Sequence, residues 1–507
     1  MAIKKYSMFY MLILRNILSV YFISFLAFIF ASIILTSEMW DGVVIHYAAI
    51  LQDFRGIKSW FFESGWHLQY WFSYLIFNSN DFLVSNYREV NGLFIVTSLG
   101  MTCFFIHRFC RDVFSMSSLS STIASTFFIC SPALSVLMSG VMTFQIFTIS
   151  LGLISILLLN SKSFSMKMIG LLLLIISFST KSLLFFLVLI SFAYDFGRKK
   201  TNFSVTLAIL ASSISYFAIT NIYFVPEGVY EGYNKISLSF EKLKTLFIGS
   251  FLYSSHYILP ILVLSVCAIL SFIKSQKFLV SIKLRDLFCL FIIFLGAYFP
   301  YAILGKNTSL FDNDWSARWS LLVIISSAIT SGYVFEKVFN ITNFRIFFSC
   351  LLFITLSIQS VMSINAFTQK IERSEIDKAI ETILRQEQDL INAGVLDIYL
   401  DFSVYPWHRH YESNFIAFNS LGRNDIFTLI HSPQSEHYIR EEYFLTNNNI
   451  NNKSLRDILE RSAFKRCRKE IFISKETQIK ASNKLNILNH FEKELIITEK
   501  NTLCPSI

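Results

Sequence analysis

Long apolar runs alternate with short polar turns from the start of the chain to about residue 364, where the pattern changes. A run of roughly 17–25 apolar residues is what a helix needs to cross a bilayer core. The first, about Ile17 to Leu35, follows Lys4, Lys5 and Arg15. It is too long for a signal-peptide core and no small-x-small cleavage site follows, so it reads as an uncleaved first span. Further spans are expected at Leu93–Ile106, Leu119–Leu137, Thr143–Leu159, Phe203–Phe224, Leu246–Ile273, Leu287–Leu304, Trp319–Phe335 and Ile346–Ile364. The 27-residue run Met168–Tyr194 is interrupted by Ser179-Thr180-Lys181-Ser182 and has basic residues at both ends. It reads as two short helices with Lys181 at their outer tip, because broken helices are tolerated where they line a cavity. The first external loop, residues 36–91, holds two amphipathic segments, Val43–Asp53 and His67–Phe77, suited to lie on the membrane surface. Beyond residue 364, Gln369–Ile391 has the period of a charged amphipathic helix. Val395–Leu400, Asn414–Phe418 and Asp425–Ile430 read as strands, and Leu455–Arg461 as a helix. The expected fold is mainly α. Residues 1–364 form a polytopic membrane helix bundle of about eleven spans, and residues 365–507 a small extramembrane α/β domain.

Composition agrees with the pattern. Hydrophobic residues make up 54% of the chain and charged residues 16%, outside the range of a soluble domain. The net charge of +9 has a place: the turns assigned to the inner face hold 16 of the 44 basic residues and only 4 of the 35 acidic ones. That is the bias of cytoplasmic loops, with the amino terminus inside and the tail outside. It leaves no need for a nucleic-acid partner. Six of the eight cysteines lie in or beside apolar runs and read as packing residues, while Cys467 and Cys504 share the polar tail, where a disulfide is open to them if that tail is external. All seven tryptophans fall on the expected outer side. A bilayer belt would use both interfaces, so the rings point to another use, such as sugar binding.

The candidate chemistry gathers on that outer side. Glu38 and Asp41 follow the first span, with Trp40, His46, Trp66 and His67 in the same loop. A carboxylate there could take the proton of an attacking hydroxyl, or simply cap the segment that starts at Gly42. Lys181 interrupts an apolar run, which marks a functional position by default, though a lysine can also snorkel at a hairpin tip. Arg318, near Lys306, Asp312, Asp314 and Trp315, offers a planar fork for phosphate oxygens, or an interfacial anchor paired with Asp314. Tyr405-Pro406-Trp407-His408 could stack on a carbohydrate, or pack as a loop. No Cys/His spacing resembles a metal site, and there is no phosphate-binding loop, nucleophile elbow or dinucleotide fingerprint. No cofactor is called for.

Together, Glu38-Met39-Trp40-Asp41-Gly42 after the first span, Ser179-Thr180-Lys181 in a broken span, a long first loop and an external tail resemble the GT-C class of integral-membrane glycosyltransferases. With Phe62-Glu63-Ser64-Gly65-Trp66, the chain looks most like bacterial serotype-converting O-antigen glucosyltransferases. The resemblance implies an inner-membrane enzyme whose donor is a polyprenyl-phosphate sugar, glucose the first candidate, and whose acceptor is a lipid-linked O-antigen or other surface glycan. Asp41, with Glu38 second, would be the base. Lys181, Arg318 and Lys306 would hold the donor phosphate, and Trp40, His46, Trp66, His67, Trp315 and Trp407 would face sugar. Two rivals remain. An O-antigen polymerase or ligase would carry its basic residues in large mid-chain external loops, which here are short. A lipid-sugar flippase would show repeats and polar residues lining several spans, whereas these spans hold few ionisable groups.

Overall fold

The structure is a computed structural model. It describes residues 2–36, 38–39, 42–51, 54–78, 80–199, 203–226, 283–304, 306, 315–339, 345–386, 393–400, 427–431, 467–477 and 493–503. Its helices are α1 (Ala2–Leu35), α2 (Gly42–Ile50), α3 (Arg55–Glu63), α4 (His67–Phe77), α5 (Asp81–Ser85), α6 (Tyr87–Phe114), α7 (Ser118–Ile129), α8 (Val141–Leu159), α9 (Phe164–Ser177), α10 (Leu183–Gly197), α11 (Ser204–Tyr223), α12 (Leu284–Ala302), α13 (Leu321–Phe339) and α14 (Arg345–Gln386). Strands β1 (Ala393–Leu400), β2 (Phe427–His431), β3 (Cys467–Thr477) and β4 (Lys493–Leu503) follow.

Among the described residues, seven helices are long and apolar enough to cross a membrane, or eight if α7 and the short 3-10 helix Pro132–Met138, bent by 54°, act as one span. The expected run Met168–Tyr194 is broken: α9 ends at Ser177 and α10 begins at Leu183, each shorter than a full span. The expected span Leu246–Ile273 lies outside the described residues. Rows of exposed apolar side chains, such as Leu207, Ile214, Phe217 and Ile222 on α11, suit contact with lipid. The chain is therefore a mainly helical, multi-pass membrane protein with a small sheet.

By packing, the chain divides into two compact units. One comprises Met1–Leu35 and Lys58–Thr368, the other Thr36–Ile57 and Gln369–Ile507. The expected first loop is thus divided, its Glu38 part grouping with the tail.

Within the bundle unit, helices approach closely where small residues meet. A Cβ added at Gly332 on α13 would lie 2.7 Å from the Ala124 Cβ and 2.9 Å from the Ser120 carbonyl oxygen of α7. Without a hydrophobic drive between spans, such close backbone contact is the main source of helix association in lipid. Several hydroxyls of the spans are satisfied within their own helix. Ser32 donates to Phe28 O, Ser98 to Phe94 O, Thr126 to Thr122 O and Ser360 to Leu356 O, each at 2.6–2.9 Å. Arg88, at the start of α6, donates to Ile33 O at 3.0 Å and Met138 O at 2.7 Å, satisfying a carbonyl in the last turn of α1.

Carboxylates tie one end of the bundle. Asp286, 2% exposed, receives Arg285 at 3.0 Å and Tyr333 Oη at 3.2 Å, with Lys337 Nζ at 3.9 Å, which joins α12 to α13. Glu336 accepts from the Ser117 hydroxyl at 2.6 Å and its N–H at 3.0 Å, joining α13 to α7. Asp112 accepts from Tyr194 Oη at 2.7 Å and pairs with Arg108 at 3.1 Å, joining α6 to α10.

In the other unit, the sheet order is β2-β1-β3-β4. β1 pairs in parallel with β2 and β3, and β3 pairs antiparallel with β4. Leu396, Ile398, Ile471 and Ile473 form its buried face. β1 and β2 fall close to two expected strands, while β3 and β4 were not expected. Asn414–Phe418 and Leu455–Arg461 lie outside the described residues. The division between the units at Thr368 and Gln369 falls within one helix, α14: no glycine or proline interrupts Arg345–Gln386, so its apolar and charged halves are continuous.

Candidate anion site

The site is built on α8. Gln69 of α4, 2% exposed, donates through Nε2 to Val141 O at 3.0 Å. Phe72, one turn from the start of α4, packs with Phe144 and Phe147 of α8 at 5.3 and 5.5 Å between centroids. On the same helix, Thr148 Oγ1 bonds Thr180 Oγ1 at 2.7 Å and so fixes the turn that carries Lys181. One helix thereby places both the start of α4 and the α9–α10 tip.

At that tip, Lys181 is exposed and the neighbouring Ser182 accepts a hydrogen bond from Tyr301 Oη at 3.3 Å. Tyr301 closes α12, and its carbonyl accepts from the Lys306 N–H at 3.0 Å. At the far end of the same pair, Cys289 of α12 meets Ala193 O of α10 at 3.7 Å, so α10 and α12 run antiparallel. α12 has 19 residues, which at about 1.5 Å per residue separates the Tyr301 end from the Asp286 end by roughly 25 Å. The Trp319 ring lies under two cations, Lys306 Nζ at 5.5 Å and Arg318 Cζ at 5.2 Å from its centroid. Burial first, and the Arg318 charge second, hold the Lys306 ammonium down to about 8. Lys181, Lys306 and Arg318 thus belong to one end of the bundle, linked through Ser182 and Tyr301.

Of the expected sugar-facing residues, His67 opens α4 in this neighbourhood, edge-on to Phe62 at 4.3 Å and 4.6 Å from the Phe224 ring. Trp66 precedes it and is 38% exposed. Trp315 starts the 3-10 turn Trp315–Ser320. His46 lies on α2 in the other unit, partly buried. Glu38 belongs to that unit too; it is 5% exposed and its Oε1 accepts from the Met39 N–H at 3.1 Å. Asp41, Trp40 and Trp407 lie outside the described residues, as does Cys504. Among the described residues no three His, Cys, Asp or Glu side chains gather as a metal would require. Sequence reasoning missed Tyr301 and Lys58; nothing in the local pattern joins Ser182 to Tyr301, which are 119 residues apart.

Compared with protein families, curated proteins and solved structures, the chain finds no match.

Proposed function

We propose that this chain is a membrane glycosyltransferase. It takes a sugar, with glucose the first candidate, from a polyprenyl-phosphate donor and transfers it with inversion to a lipid-linked glycan such as an O-antigen precursor. The reaction is placed on the periplasmic side of a bacterial inner membrane, where the tail also lies. One observation carries the reading. Three cations, Lys181, Lys306 and Arg318, share one end of an apolar bundle, linked by Tyr301 and Ser182, while the tied carboxylates occupy the other end. A lipid phosphate held at a bilayer surface needs that arrangement, and so does the charge that grows on it as the sugar departs. Asp41, with Glu38 second, serves as the base that takes the acceptor proton.

The test uses membrane vesicles containing the full chain, an acceptor glycan and a radiolabelled polyprenyl-phosphate sugar. One general base is worth about 10²–10⁴-fold in rate. Asp41→Asn should therefore lose most label transfer while the protein remains in the membrane. Wild-type transfer by that variant would remove the base assignment. Label that crosses the membrane without joining glycan would indicate a flippase instead.

A further inference from the structure

The start of α4 meets the Lys181 tip, and the rings of Phe62 and Phe224 enclose the His67 side of that meeting. α4 is 11 residues long, and its N-cap, Trp66, supplies no side-chain cap. The chain enters through Gly65 at φ 75°, a left-handed conformation that glycine adopts freely. A Cβ added at Gly65 would lie 3.6 Å from Lys181 Nζ, so the ammonium lies against bare backbone. Beside it, neither ring nitrogen of His67 has a hydrogen-bond partner among the described residues, although both are buried. Lys181 likewise has no ion-pair partner among them. The rings of Phe62 and Phe224 flank the imidazole and limit water access. Among the described residues, the charged groups on the surrounding elements are Arg55, Lys58 and Glu63 of α3 and Lys181 of the α9–α10 turn; Phe224–Pro226 after α11 carries none. Lys58 sits over the Phe62 ring at 5.2 Å. Burial first, and Lys181 second, keep His67 below its usual range, so it is neutral at pH 7.5 while the enclosure is empty.

An ammonium and an imidazole with two open nitrogens, set at the positive end of a helix, make a receptor for an anion. We propose that this enclosure receives the lipid phosphate monoester released by transfer, and that His67 takes up a proton as that dianion settles beside it. The proposal rests on the transfer reading above. The donor is a phosphodiester with one negative charge. In transfer the acceptor oxygen bonds to the anomeric carbon and the carbon–phosphate-oxygen bond breaks. The electron pair stays on the phosphate oxygen, and the acceptor proton passes to the carboxylate base. The phosphate leaves with a second negative charge. Lys181 answers the charge that donor and product share, and His67, protonated from water, answers the one that only the product has. The enclosure therefore discriminates monoester from diester.

The experiment is calorimetry on the full chain in nanodiscs at pH 7.5, where a phosphate monoester is dianionic. The probes are farnesyl phosphate, its methyl diester and inorganic phosphate, each in two buffers of different ionisation enthalpy so that proton uptake can be read. Farnesyl phosphate should bind with uptake of a proton. The diester should bind about tenfold more weakly, the worth of one charge-assisted hydrogen bond, and without uptake. His67→Gln and His67→Asn should abolish the uptake and the tenfold preference while still binding the diester, which shows that the fold survives. Lys181→Gln should weaken both lipid probes. Absence of proton uptake by the wild type, or its persistence in both His67 variants, overturns the proposal. So does inorganic phosphate binding as tightly as farnesyl phosphate, which would mark a site for free phosphate. Because no sugar moves in this assay, binding with proton uptake but no transfer in vesicles would sink the transfer reading alone. Transfer without uptake would sink this one alone.

Discussion

Lys306 offers the sharpest test of the cation cluster, because its protonation falls within a workable pH range. Burial and the neighbouring Arg318 favour its neutral form and bring it down to about 8. The sign follows directly. A depressed ammonium is charged below that value and neutral above it, so its attraction for an anion is present at pH 7 and fades as pH rises through 8. If the phosphate engages only the protonated form, the apparent affinity falls by the ratio of total to protonated lysine. At pH 9, one unit above 8, that ratio is about elevenfold. The KM for a polyprenyl-phosphate sugar, or the Kd of the methyl diester of farnesyl phosphate, should therefore rise about tenfold between pH 7 and 9. Lys306→Arg keeps its charge throughout, since arginine does not deprotonate in this range, and should flatten the profile. Lys306→Gln should also be flat, but weaker at every pH by about 10–100-fold, the range for a hydrogen bond to a charged group. His67 does not confuse the reading, because burial and Lys181 keep it neutral in the empty site and a diester brings no proton uptake. A wild-type profile that is level from pH 7 to 9, or an arginine variant that reproduces the rise, would refute the placement of Lys306 at the phosphate.

Two further predictions concern the bundle. Asp286→Ala leaves Arg285 and Lys337 without their shared carboxylate and Tyr333 without its acceptor; unfolding in detergent should show a loss of about 3–5 kcal/mol, the usual effect of breaking a buried pair from one side. An unchanged transition would mean that the network is solvated rather than structural. Gly332→Leu drives a side chain into Ala124 and the Ser120 carbonyl, 2.7 and 2.9 Å from the first added carbon; overpacking of this kind costs about 1–3 kcal/mol, and a melting temperature equal to the wild type would contradict the close α7–α13 approach.

Much of the helical architecture was legible because its signals are local. Hydropathy located α1, α6, α8, α11, α12 and α13. The polar interruption at Ser179–Ser182, between basic flanks, foretold the break between α9 and α10. The period of His67–Phe77 foretold α4 to the residue. What escaped is mostly non-local. The bend at Cys130–Ser131 divides a run that hydropathy alone renders as one span. The change of composition near residue 364 lies close to the division of the units at Thr368, but that one helix, α14, continues through it was readable only from the absence of glycine and proline up to Gln386. Ile471 and Ile473 alternate inward on β3, but Lys469, Glu470 and Lys475 around them masked the strand. For the candidate site, residue type pointed to Lys181, Arg318 and Lys306 individually. Their shared side followed from the alternation of spans and basic turns, but their link through Ser182 and Tyr301 is a tertiary contact with no trace in spacing. His67 was noted for its aromatic neighbours, whereas its place beside Lys181 depends on how Gln69 and Thr180 dock on α8.

The hydroxyls that bond back onto their own helices bear on how the protein is made. Ser32, Ser98, Thr126 and Ser360 each carry an acceptor four residues earlier in the same segment. For such hydroxyls a segment needs no neighbour in hydrocarbon. It can leave the translocon alone, wait in lipid, and find its partners afterwards by the fit of its glycine and alanine notches.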